Sequence, residues 1–178
     1  MCCALGAGLW AAPPAMAQQA PPQGPTKLVE EHKDWNVFEH TEPLECWVAS
    51  MPKQSRNTRN GRVVRVRRGD IVLMVSYIPG KAIRGEVNFT GGYPFAKDSR
   101  AILTIGNQNF DLFAQGEWAW ADTPETDAKM IAAMKKGARA SIVAHSTRGT
   151  RTSDTFSLLG FTAALEQAEQ RCYGGGAS

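Results

Sequence analysis

The segment ASIVAHSTRGTRTSDTFSL, residues 140–158, decides the fold class, because it has the pattern of two β-strands joined by a tight turn. Thr147-Arg148-Gly149-Thr150 is the turn that joins the two strands. Beyond the turn, the side chains alternate between two faces, as in a strand with one buried side. One face carries Thr152, Asp154, Phe156 and Leu158, and the other carries Ser153, Thr155 and Ser157. The segment therefore predicts a β-hairpin.

Short segments rich in Val, Ile, Phe and Trp recur along the rest of the chain between turn signals. Examples are WNVF, CWVA, DIVLMVSYI, EVNFT, AILTI and NFDLF. This spacing is typical of all-β proteins. It predicts a mainly β chain with a single antiparallel domain, either a β-sandwich or barrel-like. Residues 71–75 are continuously apolar, so we expect a central strand that is covered on both faces.

Two segments have a helical rather than a strand period. Near 124–136, Thr123 can cap a helix and Pro124 suits its first turn. Met130, Ile131 and Met134 form an apolar stripe, which predicts core packing. A C-terminal helix near 163–172 is expected to have Thr162 as its cap, to turn Leu165 and Ala168 inward, and to bring Cys172 to the domain.

The N-terminal region predicts export. Residues 1–17 are uncharged and end in Ala15-Met16-Ala17, which matches the small-residue pattern at signal-peptide cleavage sites. Residues 18–33 are predicted to be a proline-rich leader, 34–173 the single β-rich domain, and 174–178 a flexible tail. No apolar run reaches the ~20 residues that a transmembrane helix needs. We therefore expect a periplasmic or secreted protein with no transmembrane anchor.

Cleavage after Ala17 would leave two cysteines, Cys46 and Cys172, in a compartment where disulfides form. An even number of cysteines favours one bridge between them. Two separate buried thiols are the alternative.

Histidine, aspartate and hydroxyl groups in the hairpin invite comparison with a hydrolase site. The candidate residues are His145, Asp154 and a nearby serine such as Ser146. No G-x-S-x-G motif accompanies a serine, and a lone histidine at a strand end is usually only hydrogen-bonded. His40, Glu42 and Glu45 lie close in sequence but lack metal-site spacing. We therefore assign no catalytic residue, metal or cofactor.

The segment KQSRNTRNGRVVRVRR, residues 53–68, is strongly basic and contains no acidic residue. Its arginines are Arg56, Arg59, Arg62, Arg65, Arg67 and Arg68. Guanidinium groups bind phosphate and carboxylate with paired hydrogen bonds, so the run is a candidate site for a polyanion. In a strand, Arg65 and Arg67 would point outward while Val64 and Val66 are buried. A charged edge strand that prevents sheet-to-sheet pairing is the alternative.

Two tryptophans are further candidates for partner contact. Trp118 and Trp120 share one face if GEWAWAD is extended, either as an exposed aromatic contact or at the edge of the core. The basic run lacks the interleaved aromatic residues of single-strand nucleic-acid binders, and export also argues against a nucleic-acid partner.

The motifs occur in an order that resembles the invasion-associated locus B family. They are DWNVF, ECWVAS, GGYPF, LFAQGEWAWAD, MKKGA, STRGTRTSDTFSLLGF and AALEQA, followed by Cys172. The resemblance covers residues 34–172 and implies an exported alphaproteobacterial envelope protein, whose founding members are linked to entry into host red cells. It implies no established enzymatic activity. The family shares both cysteine positions, which agrees with a bridge.

Together these observations predict an exported, non-enzymatic cell-envelope protein that binds an anionic envelope or host-surface partner. An envelope hydrolase that uses His145 and Asp154 is one alternative. A structural periplasmic protein is the other.

Overall fold

The computed structural model describes residues 25–174, which form twelve β-strands, a short 3-10 turn and two α-helices. The strands are β1 (Lys27–His32), β2 (Trp35–Thr41), β3 (Leu44–Ser50), β4 (Gln54–Arg59), β5 (Arg62–Val63), β6 (Val72–Ile78), β7 (Ile83–Thr90), β8 (Arg100–Ile105), β9 (Gln108–Gln115), β10 (Trp118–Trp120), β11 (Arg139–His145) and β12 (Arg151–Ser157). The helices are α1 (Pro124–Lys136) and α2 (Phe161–Tyr173).

All twelve strands belong to one antiparallel sheet with the order β1-β2-β3-β6-β7-β10-β9-β8-β11-β12-β4-β5. The prediction of a mainly β, antiparallel fold is confirmed. The sheet curls until its distant strands meet: Trp35 Nε1 in β2 donates a hydrogen bond to the carbonyl of Ser157 in β12 at 2.9 Å. Nearby, Lys53 Nζ lies 2.5 Å from Asp34 Oδ1, and this hydrogen bond holds the pKa of Asp34 below its ordinary value. One curled layer, rather than two stacked sheets, therefore forms the domain.

The concave face of the sheet and the two helices enclose the core. Trp35 packs edge-on against Phe161 of α2, with ring centroids 4.8 Å apart. Phe89 of β7 packs against Phe156 of β12 at 6.2 Å, across the interior. Aromatic pairs in these orientations add about 0.5–1.5 kcal/mol each beyond their burial.

The hairpin predicted from residues 140–158 is confirmed as β11 and β12. Thr152, Asp154 and Phe156 are fully buried, whereas the alternate residues of β12 are half-buried or exposed. The expectation for residues 71–75 is wrong. Ile71 precedes β6, and β6 buries only alternate side chains, because the helices cover one face of the sheet and the other faces outward.

Helix α1 has the predicted bounds, and Thr123 Oγ1 accepts a hydrogen bond from the backbone N–H of Thr126. Met130 and Met134 are fully buried, as predicted. Helix α2 begins two residues earlier than expected, at Phe161, and Thr162 is not its cap. Gly160 occupies that position with φ 89°, and a side chain there would strike the carbonyl of His32. A glycine is therefore required where α2 meets β1.

The disulfide between Cys46 and Cys172 is confirmed. It joins β3 to the last turn of α2, with Cα atoms 5.9 Å apart and a sequence separation of 126. Leu165 and Ala168 of the same helix face inward, as predicted. The bridge therefore fixes α2 against the concave face of the sheet.

The predicted leader, residues 18–33, is wrong at its C-terminal end, because Lys27–His32 forms β1 and pairs with β2. His32 Nε2 also lies 2.5 Å from Gln167 Oε1 of α2. The first contact is a local hairpin and the second joins residues 135 positions apart, so the mostly polar sequence of β1 does not by itself reveal the strand. The predicted signal peptide (1–17), leader residues 18–24 and tail residues 175–178 lie outside the described residues.

Candidate functional site

The basic run forms less strand than predicted. Its first part is β4, and β5 contains only Arg62 and Val63, so the expected strand through Arg65 and Arg67 is wrong. Residues 64–71 run instead as irregular backbone. Two contacts hold this segment: Val64 N donates to the carbonyl of Asn57 at 3.0 Å, and Gly69 N to that of Gly92 at 2.8 Å.

Arg68 departs from the rest of the run because its side chain points into the domain. Its Nη1 and Nη2 atoms donate to the two carboxylate oxygens of Asp154 at 2.8 and 2.6 Å. The Arg68 side chain is only 6% exposed and that of Asp154 is 0% exposed. Arg68 Nε donates to the carbonyl of Gly91 at 2.8 Å. A paired guanidinium in this geometry satisfies the buried charge, which is costly when unpaired.

Neighbouring side chains complete this buried polar cluster. Ser55 Oγ donates to Asp154 Oδ1 at 2.7 Å, and the Arg68 guanidinium lies 5.1 Å from the centre of the Tyr93 ring. The Tyr93 hydroxyl lies 2.6 Å from Thr152 Oγ1, and burial raises the pKa of that phenol, which keeps it neutral. Arg68 is therefore part of this buried polar cluster, and its guanidinium is already paired with Asp154, unlike the exposed arginines of the run.

The other arginines of the run are exposed, and the fold adds two more beside them. Arg148 lies in the β11–β12 turn, and Arg151 begins β12 directly opposite Thr58 of β4. We call this group the arginine surface: Arg56, Arg59, Arg62, Arg65, Arg67, Arg148 and Arg151. Among residues 25–174, none of these side chains lies within ion-pair distance of a carboxylate.

Two open depressions lie on the arginine surface. One, of about 530 Å³, lies on the convex face of β4 and β12, where Arg56, Arg151 and His145 line it. The other, of about 500 Å³, lies at the end of the sheet between the 64–68 segment and the β11–β12 turn, with Arg59, Arg65, Arg67 and Arg148 around it. Glu117 is the carboxylate among the residues that line the second depression. Both depressions therefore present an excess of positive charge.

The structure does not assemble the hydrolase site considered from the sequence. His145 is exposed on the convex face, whereas Asp154 is buried on the concave face and bonded to Arg68. The Ser146 hydroxyl accepts a hydrogen bond from Thr150 N at 3.1 Å. A Ser-His-Asp triad needs these three side chains within mutual hydrogen-bond reach. Ser146 and Asp154 are instead buried and hydrogen-bonded within the fold, and His145 lies apart from Asp154 on the other face of the sheet.

The two candidate tryptophans lie on the convex face of β10, so of the two placements that the sequence allowed, the outward-facing one is observed and the core edge is not. Trp118 is 44% exposed, and Ala119 between them is the residue that points into the core. Trp120 is half-buried against Phe113 of β9, with ring centroids 5.7 Å apart. The tryptophans therefore form, with Phe113, an outward aromatic patch: Phe113, Trp118 and Trp120.

Residues 25–174 contain no cluster of three or more His, Cys, Asp or Glu side chains that could hold a metal ion. His40 lies in β2, and its Nε2 atom lies 3.0 Å from the carbonyl of Glu42. Within the same described range, no helix is long and apolar enough to cross a bilayer.

The order of strands, helices and cysteines can now be compared with known proteins. Residues 35–169 match the family model described as invasion associated locus B (IalB) protein. The chain belongs to the IalB family. The match contains the whole arginine surface, the aromatic patch and Cys46, and it ends three residues before Cys172.

A solved structure supports the same fold. It is the crystal structure of invasion associated protein B from Bartonella henselae, with a TM-score of 0.54 and 16% sequence identity. The similarity covers 80% of this chain and 96% of the Bartonella chain. At this identity the comparison shows the IalB fold and assigns no residue a role. A search of curated proteins found no match.

Proposed function

We propose that this IalB protein is an exported, non-enzymatic cell-envelope protein that binds a polyanionic envelope or host-surface molecule through the arginine surface. The observation that carries the proposal is a difference between arginines of the same run. Arg68 forms an ion pair with a buried carboxylate, whereas the arginines around it are exposed and have no carboxylate partner. Unpaired guanidinium groups on one surface attract anions and can bind their oxygens bidentately.

Two features support export. The disulfide is the kind of bond that persists in oxidising compartments such as the periplasm and the extracellular space. Residues 1–17 are apolar and end in Ala15-Met16-Ala17, the small-residue pattern found at signal-peptide cleavage sites. A non-enzymatic role is supported by the separation of His145 from Asp154 on opposite faces of the sheet.

The test compares binding of lipopolysaccharide and heparin by the mature domain and by two variants. In the first variant, Arg56, Arg59, Arg62, Arg65 and Arg67 are changed to Ser. In the control, five exposed lysines elsewhere are changed to Ser, which removes the same charge: Lys27, Lys81, Lys97, Lys129 and Lys136. Isothermal titration at low and high salt gives the dissociation constants.

We expect the arginine variant to lose at least about tenfold in affinity and the lysine variant to lose much less, because close charges act more strongly than distant screened ones. Salt should weaken binding by the unmodified protein, since the Debye length falls to about 3 Å at 1 M. Equal losses in both variants would show that only net charge matters, and would reject the arginine surface as the site.

A further inference from the structure

The aromatic patch is unusual for a sheet that already has a complete core. Phe113 and Trp118 are 43% and 44% exposed, although the concave face and helices offer buried positions for large apolar side chains. They lie side by side with Trp120 on the convex face. Exposed aromatic groups that cluster in this way mark binding surfaces more often than isolated apolar residues do.

Strand pairing connects the aromatic patch with the arginine surface. Trp120 lies opposite Phe113, and Phe113 opposite Arg100 of β8, whose guanidinium is 6.0 Å from the Phe113 ring centre. The next strands along the sheet are β11, β12 and β4. With about 4.8 Å between adjacent strands, β9 and β12 are separated by roughly 14 Å along the sheet.

The residues that cross this distance share the convex face. Ile102 of β8 lies opposite Val143 of β11, Val143 opposite Ser153 of β12, and Ser153 opposite Arg56 of β4. Arg151 and His145 are paired beside them on the same face. The convex face therefore has aromatic rings at one side, Arg100 next to them, and Arg56, Arg151 and His145 at the other side.

We propose that this face is a single binding track for an anionic saccharide, which specifies the partner class of the function proposed above and rests on it. Sugar rings present C–H groups on their faces, which pack on aromatic rings, and hydroxyls at their edges. Phosphate, sulfate or carboxylate groups on the same chain then reach Arg100, Arg151 and Arg56. A polyanion without sugar rings uses the arginines and gains nothing from Phe113 and Trp118.

The order of the strands favours a saccharide over an apolar protein partner. A hydrophobic protein interface needs a contiguous apolar centre with charges at its rim. Here Gln115 lies opposite Trp118, Asn88 opposite Trp120, and Arg100 opposite Phe113, so each ring has a polar neighbour. Rings that alternate with polar groups match a ligand that is itself apolar on its faces and polar at its edges.

The experiment uses two probes, a heparin-derived oligosaccharide and inorganic polyphosphate of matched charge, titrated against the mature domain. In the test variant, Phe113 and Trp118 are changed to Ala; both are exposed, so the core is untouched. The matched control changes Phe38 and Trp47 to Ala, a stacked aromatic pair on β2 and β3 with centroids 5.5 Å apart. Thermal midpoints show whether each variant is folded.

We expect the Phe113 and Trp118 variant to bind the oligosaccharide about tenfold more weakly and polyphosphate unchanged, as the loss of two ring contacts implies. The Phe38 and Trp47 control should bind both probes normally. Unchanged oligosaccharide affinity in the test variant, or an equal loss for polyphosphate, overturns the saccharide track while leaving the proposed function intact. If neither probe binds the unmodified domain, the proposed polyanion-binding function itself fails.

Discussion

Arg67 and Arg68 are neighbours in sequence, yet the fold uses them in opposite ways. Arg68 turns inward and binds Asp154, with almost none of its side chain exposed. Arg67 points outward and lines an open depression, with no carboxylate at ion-pair distance in residues 25–174. The comparison teaches that composition alone does not identify a binding residue. What separates the two roles is whether the fold brings a carboxylate to the guanidinium.

The largest effect on stability is expected for Arg68, the arginine that has a carboxylate partner. Arg68→Ala should lower the free energy of unfolding by about 3–5 kcal/mol, because it leaves the Asp154 carboxylate buried without a cation. Urea denaturation at neutral pH measures this change. Arg67→Ala is the control, with an expected change within about 0.5 kcal/mol, as for most surface substitutions. If both variants lost the same unfolding free energy, Arg67 and Arg68 would not differ in their structural role.

Removing the disulfide should also change the stability of the domain without changing its affinity for heparin. Changing Cys46 and Cys172 to Ala should lower the free energy of unfolding by about 2–4 kcal/mol, because the bridge closes a loop of more than 100 residues in the unfolded chain. Below the unfolding midpoint, heparin affinity should stay within about twofold of the unmodified value, since the bridge joins β3 to α2 and not the arginine-bearing strands. A large loss of heparin affinity in the folded variant would show that the disulfide and the arginine surface depend on each other.

Asp127 tests the opposite case, a buried carboxyl without a cation beside it. It accepts a hydrogen bond from Val87 N at 2.9 Å, and burial raises its pKa from 3.8 to about 6. The folded state therefore binds this proton more tightly than the unfolded state, and stability falls as pH rises from about 4 to 6. Asp127→Asn keeps the acceptor and removes the charge.

For Asp127→Asn we expect a gain of at most about 3 kcal/mol near pH 8, at 1.36 kcal/mol per pKa unit, and almost none near pH 3.5. Unfolding free energies across that pH range give the comparison. A gain of the same size at every pH would mean that the carboxyl titrates alike in the folded and unfolded chain.

The smallest effect on stability is expected at the exposed arginines. Arg65→Ser should change the unfolding free energy by no more than about 0.5 kcal/mol. The same substitution should make heparin binding less dependent on salt, because one cation fewer contacts the polyanion. Calorimetry and salt titration on one sample measure both quantities. A marked loss of stability would place Arg65 with Arg68 rather than with Arg67.

Local patterns in the sequence predicted much of the fold. Helix α1 has both its cap and its proline within one turn, so its bounds follow from neighbouring residues. The alternation in β12 likewise appears within seven residues. Strand β1 could not be predicted in this way, because KLVEEH is mostly polar and is held by β2 and by contacts with α2.

The candidate site was less predictable, because its decisive contacts join distant residues. Arg68 and Asp154 are 86 residues apart in sequence, and only the strand pairing places them together. The same pairing brings Arg151 beside β4. A basic run can be recognised in sequence, but which of its members is buried depends on a register that no local pattern contains.

The position of the disulfide also determines how late in synthesis the domain can be locked. Because a chain is made from its N-terminus, Cys46 is present early, whereas Cys172 lies in α2, 126 positions later. The contact between Trp35 and Ser157 must wait for the same late segment. The bridge can therefore form only after α2 has been made, and a chain that stops before α2 would leave Cys46 without its disulfide partner. The bridge thus acts as a chemical mark of a chain that extends through α2.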